Sequence, residues 1–137
     1  TDRGVAVFHL VLVHLENDLP IQLEDRFVLA DFAPDCLQQD FTTVTPSAYL
    51  TAISPLQEAE QVVRAAMPDA AVCERLQVRS DEPCLVVTRR TWAHGRPVTV
   101  AKLHHPGSRF ELTGHYTPPG TPRSTSAKGV SLENLGT

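Results

Sequence analysis

Residues 5–29 read VAVFHLVLVHLENDLPIQLEDRFVL, and residues 84–106 read CLVVTRRTWAHGRPVTVAKLHHP. Each is an apolar run, a polar turn closed by a proline (Pro20, Pro97), and a second run of alternating character. β-branched residues favour strands, and period-two alternation marks a sheet with one buried face. Glu16-Asn17-Asp18 and His94-Gly95-Arg96 supply the turns, so both stretches read as hairpins. The later hairpin has a helix in front of it; the earlier one starts almost at residue 1. Two like hairpins predict an antiparallel sheet in two pseudo-repeated halves, able to hold a ligand between them. The same likeness leads us to expect a domain without its first strand and helix.

Between the hairpins the signals are local. Asp31 or Asp35 can cap a short helix over Cys36-Leu37-Gln38. Thr45-Pro46 pairs an N-cap hydroxyl with proline at the first helical position, predicting a helix that carries Tyr49, Leu50 and Ile53 and stops before Pro55. Residues 56–67 fit a helix loosely; alternation of Glu58, Glu60 and Val62 with the following β-branched pair favours a strand. Asp69 opens a better helix, with Ala70, Ala71, Val72, Cys73 and Leu76 giving an apolar face, ending near Val78. Residues 107–112, GSRFEL, read as a last strand. From Thr117 the chain is rich in Pro, Gly, Ser and Thr without an apolar period. Residues 117–137 therefore read as a loosely attached, low-complexity tail, leaving 1–116 as the domain. The whole is α+β, a sheet covered by helices on one side.

Composition narrows the functional classes. A net charge of −4 and a pI near 5.8 argue against nucleic-acid binding by this segment. The longest apolar stretch, Val5 to Val13, is too short for a membrane span and contains His9. No signal peptide is visible. Three cysteines (Cys36, Cys73, Cys84) form no CxxC pair, which suits reduced thiols in a cytoplasmic protein. His104 and His105 adjoin on a strand and point apart, and no spacing of the six histidines fits a metal site. No GxSxG nucleophile or glycine-rich phosphate loop occurs, so no cofactor, metal or catalytic residue is assigned.

Set in order, several segments resemble one family: PIQLEDRF (20–27), TPSAYL (45–50), Ala59-Glu60, TRRTW (88–92), GRPV (95–98) and HPGSRF (105–110). The chain resembles the effector-binding (UTRA) domain of GntR-type bacterial transcription repressors, in the histidine-utilization branch, from about residue 5 to residue 116. The resemblance implies a chorismate-lyase-like fold, a homodimer, and a small acidic effector, in this branch urocanate. It also implies that operator DNA is contacted only through an N-terminal winged-helix domain that these residues do not include. Family members often carry arginines where this chain has His9 to His14.

An anionic imidazole needs a cation for its carboxylate and an acceptor for its ring N–H. Glu24 and Arg26 share one strand face and can meet a ligand or line a solvated surface. Arg89 and Arg90 must face opposite ways; strand alternation together with the resemblance favours Arg90 as the inward one. Tyr49 can offer its phenol or pack in the core. Glu60 can face the pocket or solvent; Thr99 and Ala101 are small enough to leave room for a ligand or merely suit an edge of the sheet; and His14, standing where the family often has a cation, can hydrogen-bond an effector or cap the sheet's polar face. The ligand set read here is therefore Glu24, Arg26, Tyr49, Glu60, Arg90, Thr99 and His14. Competing readings are a chorismate-lyase-type enzyme and a dimerisation module with a vestigial pocket.

Overall fold

The computed structural model describes residues 4–55, 57–119, 124–127 and 130–131. The order is β1 (Val7–Glu16), β2 (Leu19–Leu29), a 3-10 turn (Cys36–Gln38), α1 (Pro46–Ile53), β3 (Gln57–Ala66), α2 (Ala70–Leu76), β4 (Cys84–Ala93) and β5 (Arg96–Pro106). A second 3-10 turn (Gly107–Arg109), β6 (Leu112–His115), β7 (Ser124–Ala127) and β8 (Val130–Ser131) follow. One five-stranded antiparallel sheet runs β1-β2-β5-β4-β3, and β6-β7-β8 form a smaller one. The two hairpins thus lie side by side, joined where Leu23 to Val28 pair with His104 to Thr99.

The hairpins repeat in geometry as well as sequence. Asn17 and Asp18 have φ of 51° and 65°, and His94 and Gly95 have 53° and 75°. Positive φ at both central residues makes two-residue turns whose twist matches the strands. Each hairpin then pairs two residues regularly and slips: Leu15 faces Pro20 but His14 faces Gln22; Trp92 faces Pro97 but Thr91 faces Thr99. Ile21 and Val98 are the extra residues. Both prolines therefore stand immediately before a β-bulge, where a missing N–H interrupts the ladder least.

Both predicted caps form: the Thr45 hydroxyl accepts from the Ala48 amide at 3.1 Å, and the Asp69 carboxylate accepts from Val72 at 2.9 Å. Asp35 precedes the 3-10 turn without a side-chain cap bond. Gln77, left-handed at φ 56°, ends α2 one turn position before Val78. The helices take opposite faces of the sheet, which corrects the expectation of one-sided cover. On one face Leu50, Cys36 and Ala33 pack on Leu10 and Val28, flanked by Phe8, Leu12, Phe41 and Tyr49. On the other, Val72 and Leu76 pack on Leu23, beside Val13. The reason is that the first hairpin is apolar on both faces, so each needs its own cover.

Residues 107–112 are not one strand. Gly107 starts a 3-10 turn, held by its amide on the Pro83 carbonyl at 2.9 Å, and the strand begins only at Leu112. A Cβ on Gly107 would stand 2.6 Å from the Pro83 oxygen, so the backbones could not approach so closely with another residue there. Arg109 donates to the carbonyls of Pro20 (2.8 Å), Leu76 (2.7 Å) and Gln77 (3.0 Å), closing the open end of α2 onto the β2 hairpin. Arg109→Ala is expected to lower stability by about 2 kcal/mol in urea denaturation, the order of lost charge-assisted bonds to buried carbonyls. Of residues 117–137, Ser124–Ala127 and Val130–Ser131 are extended, and 120–123, 128–129 and 132–137 lie outside the described residues. Among the described residues, no helix is long and apolar enough to cross a membrane.

Candidate functional site

Alternation along the strands places Glu24 and Arg26 on the face that α1 covers, with Leu10, Leu12 and His14 from β1. From β5 come Thr99, Ala101 and Leu103, and from β4 come Val87, Arg89 and Thr91. Most of this face is apolar, yet Glu24, Arg26 and Arg89 are all buried in it, at 3%, 4% and 2% exposure. Arg26 Nε donates to Glu24 Oε2 at 2.6 Å, and His14 Nε2 lies 2.7 Å from Glu24 Oε1. The carboxylate can only accept, so His14 donates through Nε2. Burial alone would push the Glu24 carboxyl up, but the hydrogen bond from His14 and the charge of Arg26 outweigh it and hold it below its ordinary value.

Arg26 and Arg89 both pair with Ala101, one from each side. Two strand spacings put their backbones roughly 10 Å apart, with only the methyl group of Ala101 on the strand between them. Burial, and secondarily the charge of Arg26, pulls the Arg89 pKa down to about 10. The Thr91 and Thr99 hydroxyls are hydrogen-bonded to each other in the next row. Two buried cations, one buried carboxylate and a half-buried imidazole thus converge on a face where apolar side chains would serve stability as well or better. Such a cluster can hold an anion between the arginines and an N–H donor at the carboxylate.

The structure brings His14, Glu24, Arg26 and Thr99 to this face. Tyr49 lies at its edge, in edge-to-face contact with Phe41 (centroids 6.1 Å apart), and burial raises its phenol pKa. Arg90 and Glu60 do not join them. They pair with each other across β3 and β4, both exposed, on the opposite face. The bulge between Thr91 and Trp92 is the cause: without it Arg90 would face Thr99, whereas the slip makes Arg89 face Ala101. Arg89 is therefore the inward arginine that sequence alternation misses, and the Pro97 bulge is the signal that could have found it.

Arg90 instead lines a cavity of about 480 Å³ on the opposite face, with Val7, Phe27, Leu29, Trp92 and Arg96. That cavity is mainly apolar and has no carboxylate to receive a ring N–H; Arg96 is tied to Asp31 at 2.8 Å. The buried charge cluster, not this hollow, is where cations and a carboxylate lie together. Among the described residues, no group of three or more His, Cys, Asp or Glu could hold a metal ion. Cys36 and Cys84 are buried, and burial raises both thiol pKa values, so neither behaves as a reactive thiolate.

A covered antiparallel sheet with a buried charge cluster on one face is an arrangement suited to holding a small ligand. The UTRA domain family matches residues 1–111, and the chain belongs to that family. It is 53% identical over 115 residues to the histidine utilization repressor of Pseudomonas aeruginosa, and 44% identical over 114 residues to that of Klebsiella aerogenes. These matches take in 84% and 83% of this chain but 46% and 47% of the relatives, so the chain spans about half their length. The crystal structure of the C-terminal domain of histidine utilization repressor from Pseudomonas syringae pv. tomato superposes with a TM-score of 0.82 at 53% identity, covering 85% of this chain and 83% of that one. These relatives are repressors by name, and the family they share with this chain is that of a regulatory domain.

Proposed function

We propose that the chain senses urocanate, or a closely related small acid, in the cytoplasm. It does so as half of a homodimer and passes the signal to a separate operator-binding domain of the full-length repressor. The observation that carries this reading is the Arg26–Ala101–Arg89 row with Glu24 and His14 beside it. The ligand carboxylate bridges the two guanidinium groups above Ala101, and the ring N–H donates to Glu24. Similarity to histidine utilization repressors supports the choice of an imidazole acid. The arginines and the glutamate are buried, so the ligand has to favour a more open arrangement of this face. A population shift of that kind is how binding changes the geometry of an attached domain.

The test is thermal unfolding and calorimetric titration of the chain with urocanate. The melting temperature is expected to rise with urocanate and not with equimolar imidazole or acrylate alone. Arg89→Gln is expected to weaken binding about 10- to 100-fold, the loss of one or two charge-assisted hydrogen bonds. A folded sample with no shift at millimolar urocanate overturns the reading and leaves the dimerisation module with a vestigial pocket.

A further inference from the structure

We propose that residues 30–55, the connection from β2 to β3 that carries α1, are a hinged lid over Glu24 and Arg26. The lid swings open from one end of the sheet while the strands and α2 stay in place. For what the lid admits, this rests on the sensing reading above; it adds which part of the fold moves.

The topology sets up the hinge. β2 is second in the sheet and β3 is at its far edge, so the connection passes both β5 and β4. Its attachment points nonetheless lie at one end of the sheet. β2 finishes just past Val28, which faces Thr99 near the start of β5, and β3 starts at Gln57, which faces Ala93 at the end of β4. Three strand spacings put these points roughly 14 Å apart. A cover attached along one side only can rotate about that line without breaking a strand pair.

The closed lid holds itself together. The backbone hydrogen bonds described for residues 36–54 run within residues 33–54, from Cys36 bonded to Ala33 through Tyr49 to Thr45 and Ser54 to Leu50. Its buried residues are Ala33, Cys36, Pro46 and Leu50, none of them charged. Ala33, Cys36 and Leu50 seat it on Leu10 and Val28. Apolar contact is non-directional, so such a seat can lift and settle again without a specific bond to break. Side chains fasten the lid at the hinge line. Arg96 Nη2 donates to Asp31 Oδ2 at 2.8 Å, and Gln57 Nε2 donates to the carbonyls of Leu50 (2.9 Å) and Ser54 (2.7 Å). The cover on the other face is built differently: Arg109 bonds the end of α2 to the β2 hairpin, and Gly107 is tied to Pro83. The buried ion pair lies under the cover that is seated by apolar contact.

Two native thiols report the lid and the global fold separately. Cys36 is fully buried beneath the lid, and Cys84 is buried away from it at the start of β4. Iodoacetamide labelling is followed in two single-thiol proteins, Cys73→Ser/Cys84→Ala for Cys36 and Cys36→Ala/Cys73→Ser for Cys84. Local opening is expected to make Cys36 react roughly tenfold faster than Cys84, or more. Asp31→Ala and Gln57→Ala are each expected to raise the Cys36 rate about threefold or more and to leave the Cys84 rate unchanged. Hydrogen exchange of the wild type reads the same contrast, with residues 46–53 exchanging roughly tenfold faster than 70–76. Thiols that share one rate set by global unfolding, with the two helices equally protected, overturn the proposal. So do latch variants that speed both thiols alike. These readouts need no ligand, so they stand whatever urocanate does. When urocanate binds in calorimetry, it is expected to change the Cys36 rate and not that of Cys84; binding that changes neither overturns the lid as the way in. A fast Cys36 without any binding overturns the sensing reading alone.

Discussion

Glu24→Ala is expected to lower stability by about 3–5 kcal/mol and to abolish the response to urocanate. Glu24 is 3% exposed, and its two oxygens hold Arg26 and His14. Removing it leaves the Arg26 guanidinium buried beside Leu10 and Ala101 without its counter-ion, the costly way to break a buried pair. The loss is read from urea denaturation at neutral pH. A second variant separates stability from function: Glu24→Leu/Arg26→Met removes both charges and is expected to recover most of the stability, because two apolar side chains suit this face. It is not expected to recover ligand binding, since the carboxylate and one guanidinium are gone. A double variant that is both stable and responsive to urocanate would show that the pair is structural and that the ligand is held elsewhere.

The hairpins, the turns, the two helix caps and the strand character of residues 57–66 were legible because each rests on local chemistry. β-branched alternation, positive-φ turn residues, an Asp or Thr before a helix: these act within a few residues. The inward position of Glu24 and Arg26 was legible for the same reason, since β2 is regular from Gln22 to Leu29 and alternation holds along it. Arg89 was not, because it lies beyond a bulge. Period-two reasoning carried across the His94-Gly95 turn pairs residue 90 with 99 and points the wrong arginine inward. One extra residue at Val98 reverses the parity of all of β4 upstream of it, and of β3, which pairs with β4, so Glu60 moved with Arg90. Pro20 and Pro97 mark the two bulges identically, yet a single sequence gives proline before a strand several meanings. The division of the helices between two faces was hidden for another reason. It depends on which apolar side chains of a doubly apolar hairpin meet which helix, and that is tertiary packing rather than local preference.

The HPGSRF segment joins the family resemblance to the fold rather than to the ligand. Arg109 closes the C-terminal end of α2, Gly107 allows contact with Pro83, and His105 stacks on Phe110 with ring centroids 3.8 Å apart. The segment thereby pins the end of β5 to both β2 and α2, and β5 is the strand that carries Ala101 and Thr99. What reads as a signature motif is the support that keeps β5, beneath the buried charge cluster, in register.

His105 is the source of the largest expected pH effect: the chain is expected to lose roughly 3 kcal/mol of stability between pH 6.5 and 4. The ring is fully buried, and burial pushes its pKa down to about 4, against a smaller opposing pull from the Ile21 backbone. Above pH 6.5 the imidazole is neutral in the folded and unfolded chain alike, and its contribution is fully present. As pH falls below 6.5 the unfolded chain takes up a proton that the folded chain refuses until about pH 4, so stability is lost across that interval. The size follows from 1.36 kcal/mol per pKa unit. Glu24, held below its ordinary value, adds its own loss only at the acid end of this range, so the interval from pH 6.5 to 5 isolates the histidines. His104, half-buried, has its pKa lowered by burial and by Lys102, and contributes with the same sign. His105→Leu keeps an apolar contact for Phe110 and is expected to flatten most of the slope of unfolding free energy against pH over that interval, while His104→Gln removes only the smaller part. An unchanged slope in His105→Leu would mean that the ring reaches solvent and takes its proton in the folded chain.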